Sequence, residues 1–129
     1  MKKQEITEKI TQCVAESLVK PIDQVKTTSS LINDLGADSL DFLDIMFALE
    51  RTFNITVGKE QFDLLHKVGL SKEEAISGQS LTPLAIDKLR PLLPNLPKSG
   101  EIPVNALRDF ITIETIVFIV ESLIQEKLR

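Results

Sequence analysis

Asp34-Leu35-Gly36-Ala37-Asp38-Ser39-Leu40-Asp41, continued by Phe42-Leu43-Asp44-Ile45-Met46-Phe47-Ala48-Leu49-Glu50, is the stretch on which the reading of this chain turns. A glycine-containing turn leads to Asp38, and the spacing predicts a helix from Ser39 to Phe53. At about 100° per residue, Leu40, Phe42, Leu43, Ile45, Met46, Phe47, Leu49 and Phe53 cover one broad side. Asp41, Asp44, Ala48, Arg51 and Thr52 take the other. Asp38 suits the N-cap and Asp41 the first turn, so the positive helix end meets negative charge. Glu50 falls on the apolar side, where the sequence offers it no partner.

Outward from this helix the chain stays helical. Ile6, Ile10, Cys13, Val14 and Leu18 give a first helix over 3–19, which Pro21 ends. The long loop from Ile22 to Asp38 carries Ile22, Val25, Leu31, Ile32 and Leu35, which would pin it to a core; loops of this length are uncommon without a function. Lys59–Lys67 and Ser71–Ile76 suggest short helices around Gly69. Thr82-Pro83 is a helix start, with Leu84, Ile86, Leu89, Leu92 and Leu93 as its stripe. Residues 94–103 read as a Pro- and Gly-containing connector, and Thr112 caps a last helix, Ile113 to Leu128. No alternating strand pattern competes. The expected fold is all-α: a small four-helix bundle, with extra short helices between the second and last main helices.

Composition narrows the chemistry. The 129 residues suit a single domain over 1–129. A lone Cys13 and a lone His66 exclude a disulfide framework and a multi-thiolate or multi-imidazole metal site, so no metal is expected. With 15 Lys and Arg against 19 Asp and Glu, no nucleic-acid partner is expected. Met1 to Glu8 lacks the apolar core of a signal peptide. Glu114 and Glu121 interrupt the greasiest run, so stable membrane insertion is not expected and a cytoplasmic monomer is. Charge is uneven: Asp34 to Glu50 holds five acidic residues and no basic one, giving it −5, while the whole chain carries −4. Such a cluster is either a solvated face or a means of steering a basic partner.

Ser39 admits three readings. It could be an ordinary helix-start serine, or a hydroxyl that carries a phosphate near unpaired N–H groups at the positive helix end. As a nucleophile it would need His66 as base, and the Gly-x-Ser-x-Gly elbow is absent, with Asp41 where the second glycine should stand.

The Asp34–Glu50 stretch resembles the signature of acyl carrier proteins, with looser support from the first helix, the long loop and Thr112-Ile113-Glu114-Thr115-Ile116. The resemblance implies that Ser39 is esterified by 4′-phosphopantetheine donated from coenzyme A, with Asp38 and Leu40 as signature neighbours. The arm's thiol would hold an acyl group as a thioester, so the chain would be a carrier and not an enzyme. The resemblance also implies a docking face on the second helix, with Asp38, Asp41, Asp44 and Phe47 meeting basic patches. The partners would be a phosphopantetheinyl transferase, acyl-thioester synthases and acyltransferases of fatty-acid or lipid biosynthesis, lipid A assembly among the destinations. The alternative cargo is aminoacyl, peptidyl or polyketide, and a further alternative is an interaction protein whose Ser39 is never modified.

Two departures stand out. Arg51 occupies a position that is acidic in many carriers. The segment at about 57–103 exceeds the short connection of ordinary carriers and resembles lengthened bacterial ones used in specialised pathways. It is read either as extra packing or as an enlarged cleft, with Leu64, Leu65, Val68, Leu70, Leu84 and Leu89 available to line it.

Overall fold

The computed structural model describes residues 2–128. In chain order its helices are α1 (Lys3–Leu18), α2 (Ser39–Phe53), α3 (Leu64–Lys67), α4 (Lys72–Ala75), α5 (Pro83–Leu89) and α6 (Ile113–Lys127). Three 3₁₀ segments, Ile22–Gln24, Lys59–Phe62 and Val104–Phe110, join them. The chain is mostly helical, and α1 packs against both α2 and α6. Ile6, Ile10, Cys13 and Val14 are buried along α1, which is the stripe that helical spacing requires. On α6 the buried apolar residues are Ile113, Ile116, Val117, Ile119, Val120 and Leu123, with Thr115 buried among them. Lys127 of α6 donates to the carbonyl of Asn54, tying its end to the end of α2.

α1 stops at Leu18 because Val19 turns left-handed (φ 53°, ψ 53°), and the N–H groups of Val19 and Lys20 close on Glu16 and Ala15. A β-branched side chain is strained in that region. Val19 is 89% exposed, so it has little packing to lose. Val19→Gly is expected to stabilise the fold by about 1 kcal/mol, read as a higher urea midpoint; a lower midpoint would show that Val19 makes a contact that outweighs the strain.

The all-α expectation needs one correction. Ile76–Ser77 (β1) and Ser80–Leu81 (β2) pair antiparallel, Ile76 opposite Leu81, through a tight turn in which Gly78 has φ +66°. Strands of two residues hold no alternation to read. The hairpin anchors what reads as a free connector: Leu81 N–H donates to Ile102 O (2.9 Å) and Val104 N–H to Gln79 O (2.9 Å). Half-buried Arg90 adds bonds to the carbonyls of Leu96 and Pro97, and Leu96 and Ile102 are buried. Leu64, Leu81, Leu89, Leu93 and Leu96 join the same apolar cluster as α1, α2 and α6.

The broad apolar side expected of α2 is also corrected. Ile45, Leu49 and Phe53 are buried, and Phe42 and Met46 are partly so, but Leu40 (71% exposed), Leu43 (37%) and Phe47 (53%) face outward. The apolar arc of this helix is wider than its neighbours can cover.

Candidate functional site

The loop before α2 is held by its own backbone. Leu31 N–H donates to Ile111 O (3.0 Å), Ala37 N–H to Leu31 O (2.8 Å), and Glu114 N–H to Thr27 O (3.1 Å). Ser30, 5% exposed, donates its hydroxyl to Asp109 O (2.7 Å) and accepts from Asn33 N–H (3.1 Å). These bonds latch the loop to the 3₁₀ segment at 104–110. Gly36 (φ +73°) then supplies the left-handed turn into α2.

At Asp38 a reciprocal pair forms. Asp41 N–H donates to Asp38 Oδ1 (2.9 Å), and Asp38 N–H donates to Asp41 Oδ2 (3.0 Å). This capping box fixes the first turn, and its loss typically costs about 0.5–2 kcal/mol. Ser39 is the first helical residue and is exposed. Its hydroxyl makes no hydrogen bond among the described residues.

The acidic stretch is therefore mostly occupied at short range. Asp34 Oδ2 accepts from Ser30 N–H (2.7 Å), Asp38 and Asp41 cap each other's backbone, and Glu50 Oε2 accepts from Val57 N–H (2.8 Å). That last bond is the partner the sequence did not reveal for Glu50. Asp44 remains exposed on the outer side of α2, one helical step from Leu40, Leu43 and Phe47. A hydrogen bond to a neutral N–H leaves a carboxylate its charge, so the field of the stretch persists.

Ser39 stands at the rim of a cleft of about 420 Å³. Ile32 and Ala37 of the loop, Phe42, Leu43 and Met46 of α2, Phe62, and Ile111 give it an apolar lining. Phe42 and Phe62 meet edge to face, with centroids 6.4 Å apart and planes at 87°. Arg108 is the cation on its lining. His66, the base that a nucleophilic Ser39 would need, is exposed on α3 and does not border the cleft. None of Leu64, Leu65, Val68, Leu70, Leu84 and Leu89 borders it either: Leu64 and Leu89 are core, and Leu84 is 47% exposed.

Phe62, Arg108 and Ile111 are the cleft residues that the sequence does not disclose. Phe62 and Arg108 sit on 3₁₀ segments, whose spacing leaves no amphipathic period to follow. Chemically, the site offers an open hydroxyl at a helix N-terminus, one guanidinium, and an apolar trough. The last can receive an alkyl chain and the first two can hold a phosphate.

Comparisons with known proteins agree with one another. The family model described as "Phosphopantetheine attachment site" matches residues 8–69, from α1 to the glycine after α3. An acyl carrier protein of Prochlorococcus marinus (strain MIT 9515) is 39% identical over 69 residues, covering 54% of this chain and 86% of that protein.

Proposed function

The chain belongs to the acyl carrier protein family, and from that premise we propose that Ser39 bears its 4′-phosphopantetheine and that the chain shuttles acyl thioesters between enzymes of fatty-acid or lipid biosynthesis. Membership makes it a carrier rather than an enzyme, with residues 8–69 as a phosphopantetheine attachment domain. The observation that carries the assignment to Ser39 is its open hydroxyl on the first residue of α2, at the rim of an apolar cleft.

The residues present fit the group. In loading, the Ser39 oxygen displaces 3′,5′-ADP from the pyrophosphate of coenzyme A: a new P–O bond forms to serine, the bond to the leaving phosphate breaks, and the hydroxyl proton passes to the transferase. A phosphodiester on Ser39 would be held by the N-terminal end of α2, where unpaired N–H groups favour negative charge by about 0.3–1 kcal/mol. Arg108 supplies positive charge on the same cleft. The Asp38–Asp41 box fixes the backbone turn from which Ser39 projects. When bound, the group supplies a terminal thiol that carries an acyl chain as a thioester. The lining of Phe42, Leu43, Met46 and Ile111 suits an alkyl cargo better than an aminoacyl one.

Asp38, Asp41, Asp44 and Phe47, with the exposed Leu40, form the docking face in this reading. The partners are a phosphopantetheinyl transferase, acyl-thioester synthases and acyltransferases that present Lys and Arg. Asp44→Lys, which reverses a charge not engaged by the backbone, is expected to slow loading up to about tenfold at low ionic strength. The difference should shrink in high salt; one that ignores salt would show that Asp44 acts through contact rather than field. We further read residues 1–129 as one carrier domain framed by α1, α2 and α6, with α3, α4 and α5 inside an insertion at about 57–103, acting as a cytoplasmic monomer.

The test is direct. Incubation with coenzyme A, Mg²⁺ and a phosphopantetheinyl transferase is expected to raise the mass by one phosphopantetheinyl group. A wild-type mass left unchanged by transferases of broad specificity would favour an interaction protein.

A further inference from the structure

Along its outer side α2 changes sign. At about 100° per residue, Leu40, Asp44, Phe47 and Arg51 fall within about 60° of one another and form a single ridge about 17 Å long. All four side chains are exposed, Leu40 at 71% and Phe47 at 53%. Among the described residues neither Asp44 nor Arg51 has an ion-pair partner. Asp38, Asp41 and Asp44 make the first two turns negative, and Arg51 makes the last turn positive. Lys127 adds a second cation at that end, where it is held by the carbonyl of Asn54. A cation suits the negative C-terminal end of a helix, which accounts for the sign of Arg51. It does not account for the alignment of Arg51 with Asp44 and Phe47.

We propose that Arg51 selects the carrier's partners: the ridge docks on enzyme surfaces that offer a cation to Asp44, an apolar pocket to Phe47 and a carboxylate to Arg51, and it repels surfaces that are basic along the whole helix. The inference rests on the carrier reading of Ser39 and names the kind of partner that reading leaves open. Charge complementarity identifies the occupant. Seven residues of helix separate Asp44 from Arg51, so the partner's cation and carboxylate stand about 10 Å apart. A ridge with opposite charges at its ends has a direction, and a complementary surface receives it only one way round. Ser39 lies at the acidic end, so the same polarity sets which side of the partner meets the arm. A surface with bases at both ends gains at Asp44 and loses at Arg51. Both charges are exposed, so the discrimination acts mostly on encounter and weakens with salt.

The test measures loading of the full chain from coenzyme A by a phosphopantetheinyl transferase of broad specificity. Arg51→Glu is expected to raise kcat/KM about three- to tenfold at low ionic strength, through KM, with the gain lost in high salt. Lys88→Glu makes the same change of net charge at an exposed position on α5 and should alter the rate by less than about twofold. Lysines and arginines on the transferase's docking surface are then reversed to glutamate one at a time. One reversal is expected to invert the preference, so that the wild-type chain loads faster than Arg51→Glu, and it should differ from the reversal that rescues Asp44→Lys. Equal effects of Arg51→Glu and Lys88→Glu would reduce Arg51 to a share of the net charge, which overturns the inference and spares the carrier reading. The absence of any inverting position does the same. A wild-type chain that gains no mass at Ser39 overturns both.

Discussion

Ser39→Ala is expected to abolish the phosphopantetheinyl mass gain completely while leaving the fold intact. The side chain is exposed, its hydroxyl has no partner among the described residues, and alanine is tolerated in a first helical turn. The Asp38–Asp41 box that holds the turn does not involve the serine side chain, so stability should stay within about 0.5 kcal/mol of wild type. The serines of the preceding loop cannot substitute. Ser29 and Ser30 are buried, and their oxygens are bonded to Lys26 N–H and to Asp109 O and Asn33 N–H. Ser71 is the informative control: it too is exposed and stands at a helix start, as N-cap of α4, but its hydroxyl is engaged with Glu74 and no cleft residue surrounds it. Intact-mass measurement of Ser39→Ala and Ser71→Ala beside wild type decides the matter. If Ser39→Ala still gains the group, the tether lies elsewhere and the docking face assigned to α2 loses its reason.

The frame of the molecule was legible where burial and period coincide. Ile6, Ile10, Cys13 and Val14 on α1, and Ile116, Val120 and Leu123 on α6, are buried at the positions that 3.6-residue spacing picks out. Helix starts were equally readable, because capping is a local event: Asp38, Thr82 and Thr112 each accept from the N–H three residues on. Periodicity failed on α2, where it cannot separate a face covered by neighbours from one left for partners. Leu40, Leu43 and Phe47 have the hydropathy of core residues, yet they point outward. The cleft was only half legible for a related reason. Its α2 wall follows from the Asp-Ser-Leu turn, whereas Phe62 and Arg108 reach it by chain reversals at the 3₁₀ segments, the hairpin and residues 94–103.

The acidic stretch carries a similar lesson about clustered charge. The sequence offers solvated face and steering field as alternatives, but most of its carboxylates do a third thing and satisfy backbone N–H groups at the latch, the helix start and the turn after α2. Local satisfaction and long-range field are compatible, because neutral donors do not discharge a carboxylate. Neutralising Asp34 or Asp38 would therefore confound docking with folding, which is why Asp44 is the cleaner probe.

Leu31→Ala is expected to have the largest effect on stability of any single change near the site, about 2–5 kcal/mol. Its side chain is fully buried, while its N–H donates to Ile111 O (3.0 Å) and its carbonyl accepts from Ala37 N–H (2.8 Å). The residue thus clamps the loop that carries Ile32 and Ala37, one wall of the cleft, against Ile111 on the other. Removing its outer carbons opens a cavity beside bonds that cannot shift without dragging the cleft wall, so collapse will recover little of the loss. Against a typical domain stability of about 5–15 kcal/mol, such a cost brings the unfolded chain within measurable reach at room temperature. Leu84→Ala is the matched control: the same atoms leave a side chain that is 47% exposed, and the urea-derived stability should fall by no more than about 1 kcal/mol. Amide hydrogen exchange separates a local clamp from general core loss. In Leu31→Ala the amides of Leu31 and Ala37 should lose more protection than those of Ile119 and Val120 in α6, because opening the loop does not require opening the helix. Equal losses across both sets would mean that loop and helix open as one unit, and the cleft wall would then have no independent motion to lose.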